Sequence, residues 1–162
     1  MILQEKVAVV TGGSRGIGRA ICLKLAEEGA SVAFLFAGNV ESAEKTLAEI
    51  KALGAKAACY RCDVSDFASV SAVFAEIIKD FGTVDILVNN AGITCDKLML
   101  SMKEDEFDRV VGVNLKGAFN TIKHLAASHR VTVAAVAFVE AEAAQGQELK
   151  DYCHRVEMDV VS

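Results

Sequence analysis

The feature that most constrains the fold of this 162-residue chain is a glycine-rich segment directly after a short apolar run. Residues 7–10 form the continuous apolar run that is typical of a parallel strand buried on both faces. Glycines allow a sharp turn, a close approach of backbone to phosphate, and tight packing of a helix on a strand. Between a predicted strand and a predicted helix, such a segment indicates a nucleotide-binding loop. The segment reads Thr11-Gly12-Gly13-Ser14-Arg15-Gly16-Ile17-Gly18.

Beyond this loop, β-rich runs alternate with stretches of helical periodicity. Further strands are expected at residues 31–36, 56–62 and 84–88, with helices after each of them. Four βα units in series predict an α/β fold, a doubly wound parallel sheet of the Rossmann-like type in three layers with strand order 3-2-1-4. The predicted apolar stripe of the first helix is Ile17, Ala20, Ile21 and Leu25.

A long helix is expected after the fourth strand. Residues 101–104 have the spacing of a capping box that opens it. Its apolar residues recur at helical spacing and are Phe107, Val110, Val111, Leu115, Phe119 and Ile122.

Composition favours one globular domain over residues 1–162. The hydrophobic fraction is 52%, and 17 basic against 22 acidic residues give a net charge of -5. Such a chain lacks the positive electrostatic potential that attracts nucleic acid. No apolar stretch approaches the ~20 residues that a membrane-spanning helix needs. Five cysteines without a visible secretory leader predict a reducing compartment, by default the cytoplasm. The three histidines have no metal-ligand spacing, so no metal site is expected.

Three further motifs follow at defined places in the predicted fold. Asp63-Val64 comes after the third strand, Asn89-Asn90-Ala91-Gly92 after the fourth, and Val113-Asn114-Leu115-Lys116-Gly117 lies in the long helix. Together with the spacing T-G-x-x-x-G-x-G of the glycine loop, they resemble the short-chain dehydrogenase/reductase family. The resemblance covers residues 1–126. Within the family, the sequence of residues 90–98 is most similar to that of the bacterial reductases of 3-oxoacyl-acyl-carrier-protein.

The resemblance implies specific roles for these residues. Asp63 and Val64 would contact the adenine, and Asn114 would be the catalytic asparagine that holds a relay water. The substrate would be an acyl-carrier-protein thioester, reduced from the 3-oxoacyl to the 3-hydroxyacyl form in fatty acid synthesis by a homo-oligomer. The cofactor-binding residues would be Gly12, Ser14, Arg15, Gly16, Ile17, Gly18, Asp63, Val64, Asn90, Ala91 and Gly92.

The choice of cofactor follows from charge at the end of the second strand. An acidic residue there would bind the ribose 2′-hydroxyl of NAD and repel the 2′-phosphate of NADP. Residues 35–39 contain no Asp or Glu, and the first acidic residue after them is Glu41. Arg15 in the glycine loop can supply a cation for the phosphate. The sequence therefore favours NADP(H).

The family's catalytic Ser and its Tyr-x-x-x-Lys motif are not found in this chain. The two tyrosines are Tyr60 and Tyr152, and the residues four positions later are Val64 and Val156. After Ala126 the sequence departs from that of the family. Residues 127–162 are expected to form a strand, which would lie beside the fourth strand, and then a helix. Two functions stay open: an NADP(H)-dependent reductase truncated or rejoined after its cofactor-binding half, or a catalytically silent nucleotide-binding or interaction protein from a truncated or frameshifted gene.

Overall fold

Four parallel strands form one sheet at the centre of the computed structural model, which describes residues 1–126. The strands are β1 (Val7–Thr11), β2 (Ser31–Phe36), β3 (Ala57–Arg61) and β4 (Ile86–Val88). Their order is β3-β2-β1-β4, so the predicted order is confirmed. β1 is central, with β2 on one side and β4 on the other. The strand and helix expected within 127–162 lie outside the described residues.

A helix connects each strand to the next, as expected of a doubly wound α/β fold. The three connecting helices are α1 (Gly16–Glu27), α2 (Val40–Ala52) and α3 (Phe67–Phe81). The elements after β4 are a 3₁₀ turn (Met99–Ser101), α4 (Glu104–Val111), a π-helical segment (Gly112–Lys116) and α5 (Gly117–Ala126). The predicted fold class is confirmed by this arrangement.

The chain divides into two units, Met1–Leu125 and Ala126–Ser162. The four strands and the helices up to α4 lie in the first unit. Within residues 1–126, no helix combines the length and the apolar character that crossing a membrane requires.

The core of the first unit lies around the two central strands. All residues of β1 are buried, as the continuous apolar run predicts. Five of the six residues of β2 are buried too, and Phe34 is completely enclosed. Ile50 of α2 and Ile77 of α3 are also fully enclosed, so both helices bury apolar side chains in the core.

Polar caps and left-handed glycines set the ends of α2 and α3. The Asn39 side chain accepts a hydrogen bond from the Ser42 N–H at 2.9 Å and begins α2. Asp66 likewise accepts bonds from two backbone N–H groups at the start of α3. Gly54 follows the end of α2 with φ +82°, and Gly82 ends α3 with φ +86°.

The predicted apolar stripe of α1 is wrong at its first positions. Ile17 is 75% exposed and Ala20 is also exposed, whereas the buried residues of the helix are Gly18, Cys22 and Ala26. The buried face is therefore rotated by one position from the stripe of bulky residues. The reason is contact with the glycine loop, because only Gly18 fits against the Gly12 carbonyl, as described below.

The long helix also differs from its prediction at two places. Ser101 lies in the 3₁₀ turn, and α4 begins after Lys103, whose N–H donates to the Glu106 carboxylate at 3.0 Å. The capping side chain is therefore Glu106, reaching back over one turn. The π-helical segment then interrupts the helix before α5, and it contains Asn114.

Candidate functional site

A cavity of about 530 Å³ lies at the carboxyl ends of the strands. Its walls come from Gly12 and from segments 14–18, 35–39, 62–64 and 90–93, together with Val113. These segments follow or end the four strands in turn. β2 and β3 are added on one side of β1, whereas β4 lies on its other side, so the strand order reverses between β1 and β4. Doubly wound sheets bind ligands in the crevice at such a switch point. The volume lies within the range typical of small-molecule sites.

The structure brings the predicted cofactor-binding residues together around this cavity. Asn114 is not among the lining residues, but it contacts one of them, Ile93. The predicted residues that line the cavity are Gly12, Ser14, Arg15, Gly16, Ile17, Gly18, Asp63, Val64, Asn90, Ala91 and Gly92.

The glycine loop has a backbone that larger residues could not adopt. A Cβ atom on Gly18 would lie 2.1 Å from the Gly12 carbonyl oxygen, and one on Gly13 would lie 2.5 Å from the Phe34 Cβ. Gly12 and Gly16 have left-handed φ angles of +69° and +55°. The loop therefore packs closely against α1 and β2. It leads into the N-terminus of α1, which lies beside the cavity.

The N-terminus of α1 has the character of an anion site. The helix begins at Gly16, and no side chain caps its first backbone N–H groups. A helix N-terminus carries a partial positive charge and unsatisfied donors. Gly16 has no atom within 4 Å of its Cβ position, so its backbone faces open space. These features fit a phosphate held against the loop.

Two loops on either side of the switch point are joined by Thr11 and Asn90. The Asn90 side-chain amide donates to the carbonyl oxygens of Thr11 at 3.0 Å and Gly12 at 3.2 Å. The Thr11 hydroxyl accepts from the N–H groups of Asn90 and Ala91, at 3.0 and 2.9 Å. The glycine loop is thereby held to the loop after β4. Thr11 was not among the predicted site residues, although its place at the end of β1 was a signal.

Asn114 holds the far side of the loop after β4. Its side-chain oxygen accepts from the Ile93 N–H at 2.8 Å, and its amide nitrogen donates to the Ile93 carbonyl at 2.9 Å. A π-helical turn adds a residue to the helix and displaces the side chains it carries, and such turns recur at functional sites. The π-helical segment therefore positions the predicted catalytic residue beside Gly92 and Ile93.

Asp63 and Val64 are held in place by contacts after β3. The Asp63 carboxylate accepts from the N–H and the hydroxyl of Ser65, at 2.9 and 2.6 Å. The buried Asn120 of α5 donates to the Val64 carbonyl at 2.8 Å. A Cβ on Gly117 would lie 2.7 Å from a Val64 methyl, so α5 packs tightly here. The β3 end of the cavity is therefore fixed by α5.

The cavity has one cation and one anion among its lining residues. Arg15 is exposed, and within residues 1–126 its side chain forms no hydrogen bond or ion pair. Asp63 is the acidic member. Cys62 also lines the cavity and is 3% exposed, although it was not among the predicted site residues. Burial raises the pKa of the Cys62 thiol, so it lies in the cavity wall as a neutral group.

Tyr60 is engaged away from the cavity. Its hydroxyl donates to the Asp80 carboxylate at 2.6 Å, and it is not a lining residue. Partial burial and the neighbouring carboxylate both raise the pKa of Tyr60. That Tyr60 is not the catalytic tyrosine stays a prediction. Tyr152 lies outside the described residues.

Comparison with known proteins places this geometry in a family. The family model described as short chain dehydrogenase matches residues 6–153. The match extends past Ala126, the residue after which the sequence no longer follows the family's motifs. The 3-oxoacyl-acyl-carrier-protein reductase FabG of Staphylococcus aureus (strain Mu50) is 52% identical over 118 residues, 73% of this chain and 48% of the relative.

Solved structures give the same result. A short chain dehydrogenase from Burkholderia cenocepacia in complex with NADP superposes with a TM-score of 0.76 and 38% identity, over 78% of this chain and 52% of the other. A NAD+-bound xylitol dehydrogenase superposes with a TM-score of 0.75 and 36% identity, over 78% and 49%. The chain spans about half the length of the curated relatives it matches. By its sequence, sheet order and glycine loop, this chain belongs to the short-chain dehydrogenase/reductase family of oxidoreductases, close to FabG.

Proposed function

We propose that the cavity binds NADP(H). The observation that carries this proposal is the convergence of the predicted cofactor-binding residues on one space of about 530 Å³ at the switch point of the sheet. Residues 12–18 would hold the pyrophosphate, Asp63 and Val64 the adenine, and residues 90–92 would border the nicotinamide half. The fit of the glycine loop supports the assignment, because a Cβ on Gly18 has no room.

The preference for NADP(H) over NAD(H) rests on charge. Segment 37–39 lines the cavity at the end of β2 and contains no carboxylate. Arg15 lines the same cavity, and its guanidinium forms no ion pair with any residue in 1–126. A 2′-phosphate would meet a cation and no opposing charge from this loop. The solved relatives include both an NADP complex and an NAD+ complex, so the relatives do not favour one cofactor. The proposed preference therefore rests on Arg15 and on segment 37–39 of this chain.

The reaction proposed for the whole enzyme is reduction of 3-oxoacyl-acyl-carrier-protein to the 3-hydroxyacyl form, in fatty acid synthesis. Support comes from the FabG relatives, which are 52% identical over the matched residues. The bound cofactor supplies the hydride in such a reduction. Asn114, fixed by its two bonds to Ile93, would hold the relay water. The acyl-carrier-protein thioester is the proposed substrate, and the cysteine content supports a cytoplasmic location.

A second candidate is nucleotide binding without turnover by this chain. It is favoured by one specific observation, that neither tyrosine is followed by a lysine four residues later. Tyr60 is moreover bound to Asp80. A chain with an intact cofactor cavity but no general acid would bind NADP(H) and leave a carbonyl substrate unchanged.

Self-association is proposed through the helices after β4. Phe107, Leu115 and Phe119 are 58%, 68% and 58% exposed, respectively. Large apolar side chains exposed together mark interaction surfaces. A second copy of the chain is the proposed occupant, which makes the protein a homo-oligomer.

Titration with NADPH and with NADH, followed by nicotinamide fluorescence, tests the proposed function. NADPH should bind more tightly, and Gly16→Val should abolish binding of both, because its side chain occupies the space where the phosphate approaches. Gly54→Val is the matched control, since Gly54 has a similar φ of +82° and equally open surroundings but lies outside the cavity. Equal or reversed affinities for the two nucleotides would contradict the NADP(H) preference.

A further inference from the structure

We propose that Arg61 is a second cation for the 2′-phosphate and hence a specificity-determining residue for NADP(H) over NAD(H). The inference rests on the proposed function and assigns a role to a residue outside the glycine loop. Arg61 is the last residue of β3 and does not itself line the cavity. It reaches the cavity rim through its contact with the loop that follows β2.

The sheet register places Arg61 beside that loop. Arg61 is the register partner of Phe36, the last residue of β2, and the neighbouring Cys62 N–H donates to the Phe36 carbonyl at 2.9 Å. The Arg61 Nε then donates to the Ala37 carbonyl at 3.1 Å. Ala37 lines the cavity, together with Gly38. The guanidinium is therefore anchored at the segment where the adenosine ribose of a bound dinucleotide is expected.

The anchoring bond uses one donor and leaves the others available. A guanidinium has five N–H donors, and the Ala37 carbonyl takes only the one on Nε. Within residues 1–126, no other hydrogen bond or ion pair involves the Arg61 side chain, which is exposed. Arg19 shows the contrast, because the Glu49 carboxylate engages both its Nε at 2.7 Å and a terminal nitrogen at 2.5 Å. Arg61 thus keeps the paired terminal donors that suit a phosphate.

The charges nearby are compatible with an anion at this place. The Asn39 side-chain oxygen is occupied in capping α2, so it presents no free acceptor toward the loop. The Asp63 carboxylate is bound to Ser65. Glu41 is exposed in the first turn of α2, where the helix terminus offsets its charge. Arg15 and Arg61 would then supply positive charge from the loop after β1 and the end of β3.

A purely structural role makes a different prediction. If Arg61 only ties down the loop through Ala37, its removal should weaken NADPH and NADH alike, because both nucleotides contact that loop. If it binds the 2′-phosphate, only NADPH should be affected, because NADH has a hydroxyl at that position.

The test measures dissociation constants of NADPH and NADH for the full 162-residue chain and three variants. Arg61→Met should weaken NADPH about tenfold, as expected for loss of a charge-assisted bond at an exposed site, and should change NADH by less than about twofold. Arg61→Lys keeps the charge and should fall between wild type and Arg61→Met. Arg109→Met removes another exposed arginine, on α4 and outside the cavity lining, and should change neither constant.

Three results would overturn the inference. NADPH affinity unchanged in Arg61→Met, while the wild type binds NADPH, would show that Arg61 is not a phosphate contact. Equal losses of NADPH and NADH would assign Arg61 to holding the loop. A wild-type chain that binds neither nucleotide would overturn the proposed function itself, a result distinct from the other two.

Discussion

Thr11 and Asn90 exchange hydrogen bonds across the ends of β1 and β4. The Thr11 hydroxyl accepts the Asn90 backbone N–H at 3.0 Å, and the Asn90 side-chain amide donates to the Thr11 carbonyl at 3.0 Å. Thr11 is 1% exposed, so these groups have little access to water. The pair holds together the two loops that flank the switch point, and thereby sets the width of the proposed cofactor cavity.

Replacing Thr11 by valine should destabilise the fold while keeping its shape. The change leaves the N–H groups of Asn90 and Ala91 without their acceptor. A fully buried donor without a partner costs about 1–3 kcal/mol, and these two are partly buried, so each should cost an amount near the lower end of that range. We expect a loss of roughly 2 kcal/mol in the free energy of unfolding, measured in urea, together with weaker NADPH binding. Thr11→Ser keeps the hydroxyl and is the control. Unchanged stability in Thr11→Val would show that the hydroxyl does not hold the loops.

Gly18→Ala should destabilise the chain more than Gly54→Ala. A methyl group on Gly18 would lie 2.1 Å from the Gly12 carbonyl oxygen, so α1 and the glycine loop must separate. Overpacking of this kind costs roughly 1–3 kcal/mol. Gly54 has a left-handed φ of +82° but nothing within 4 Å, so alanine there meets only backbone strain of about 1 kcal/mol. Thermal unfolding of the two variants provides the comparison, and equal melting temperatures would contradict the close packing.

The 162-residue chain should show no detectable oxidation of NADPH in the presence of a 3-oxoacyl thioester. A positioned general acid contributes about 10²- to 10⁴-fold, and orientation of the carbonyl contributes more, so losing both leaves little activity. Absorbance at the nicotinamide band measures the reaction, with a complete FabG relative as positive control. Substrate-dependent oxidation that persists in Asn114→Ala and Tyr152→Phe would mean that another residue supplies the acid.

A charge placed on the exposed face of the π-helical segment should reduce self-association. Leu115 is 68% exposed, and a lysine there would have to lose its hydration in an apolar contact between copies. We expect Leu115→Lys to shift the sedimentation profile toward a smaller species. Leu53→Lys is the control, because Leu53 is an exposed leucine at the end of α2. If both variants sediment like the wild type, this face does not pair subunits.

Cys22 should be protected from alkylation in the folded chain and should make stability fall in alkaline solution. Burial raises the pKa of the Cys22 thiol from 9.0 to about 12. The folded chain therefore holds this proton more tightly than the unfolded chain. Its contribution to stability is complete below pH 9.0, and it is lost as the pH rises toward about 12.

Iodoacetamide at pH 9 should leave Cys22 unmodified in the folded chain and modify it in urea, as read by mass spectrometry. Urea midpoints should fall more steeply above pH 9 in the wild type than in Cys22→Ala, because the variant lacks this titration. Rapid modification of Cys22 in the folded chain would show that the helix α1 opens readily.

Much of the site was predictable because its signals are local. The glycine spacing of residues 12–18 reports what the backbone must do within one loop, and the structure shows this directly in the φ of Gly12 and the contact at Gly18. Strand order followed from the same kind of evidence, since short connections and helix length restrict how βα units assemble. The predicted cofactor residues met at one cavity because parallel strands all end at the same edge of the sheet.

The sequence by itself therefore determined the fold class, the strand order and the loops that face the cavity, since each depends on periodicity or on the conformational freedom of glycine. Only the tertiary structure decided which face of α1 is buried, with Ile17 outside and Cys22 inside, because the contact of Gly18 with the glycine loop sets the rotation of the helix. It alone also decided that Asn114 holds Ile93 and that Arg61 holds Ala37. These partners lie 21 and 24 positions apart in the chain, and only sheet register and helix packing bring them together.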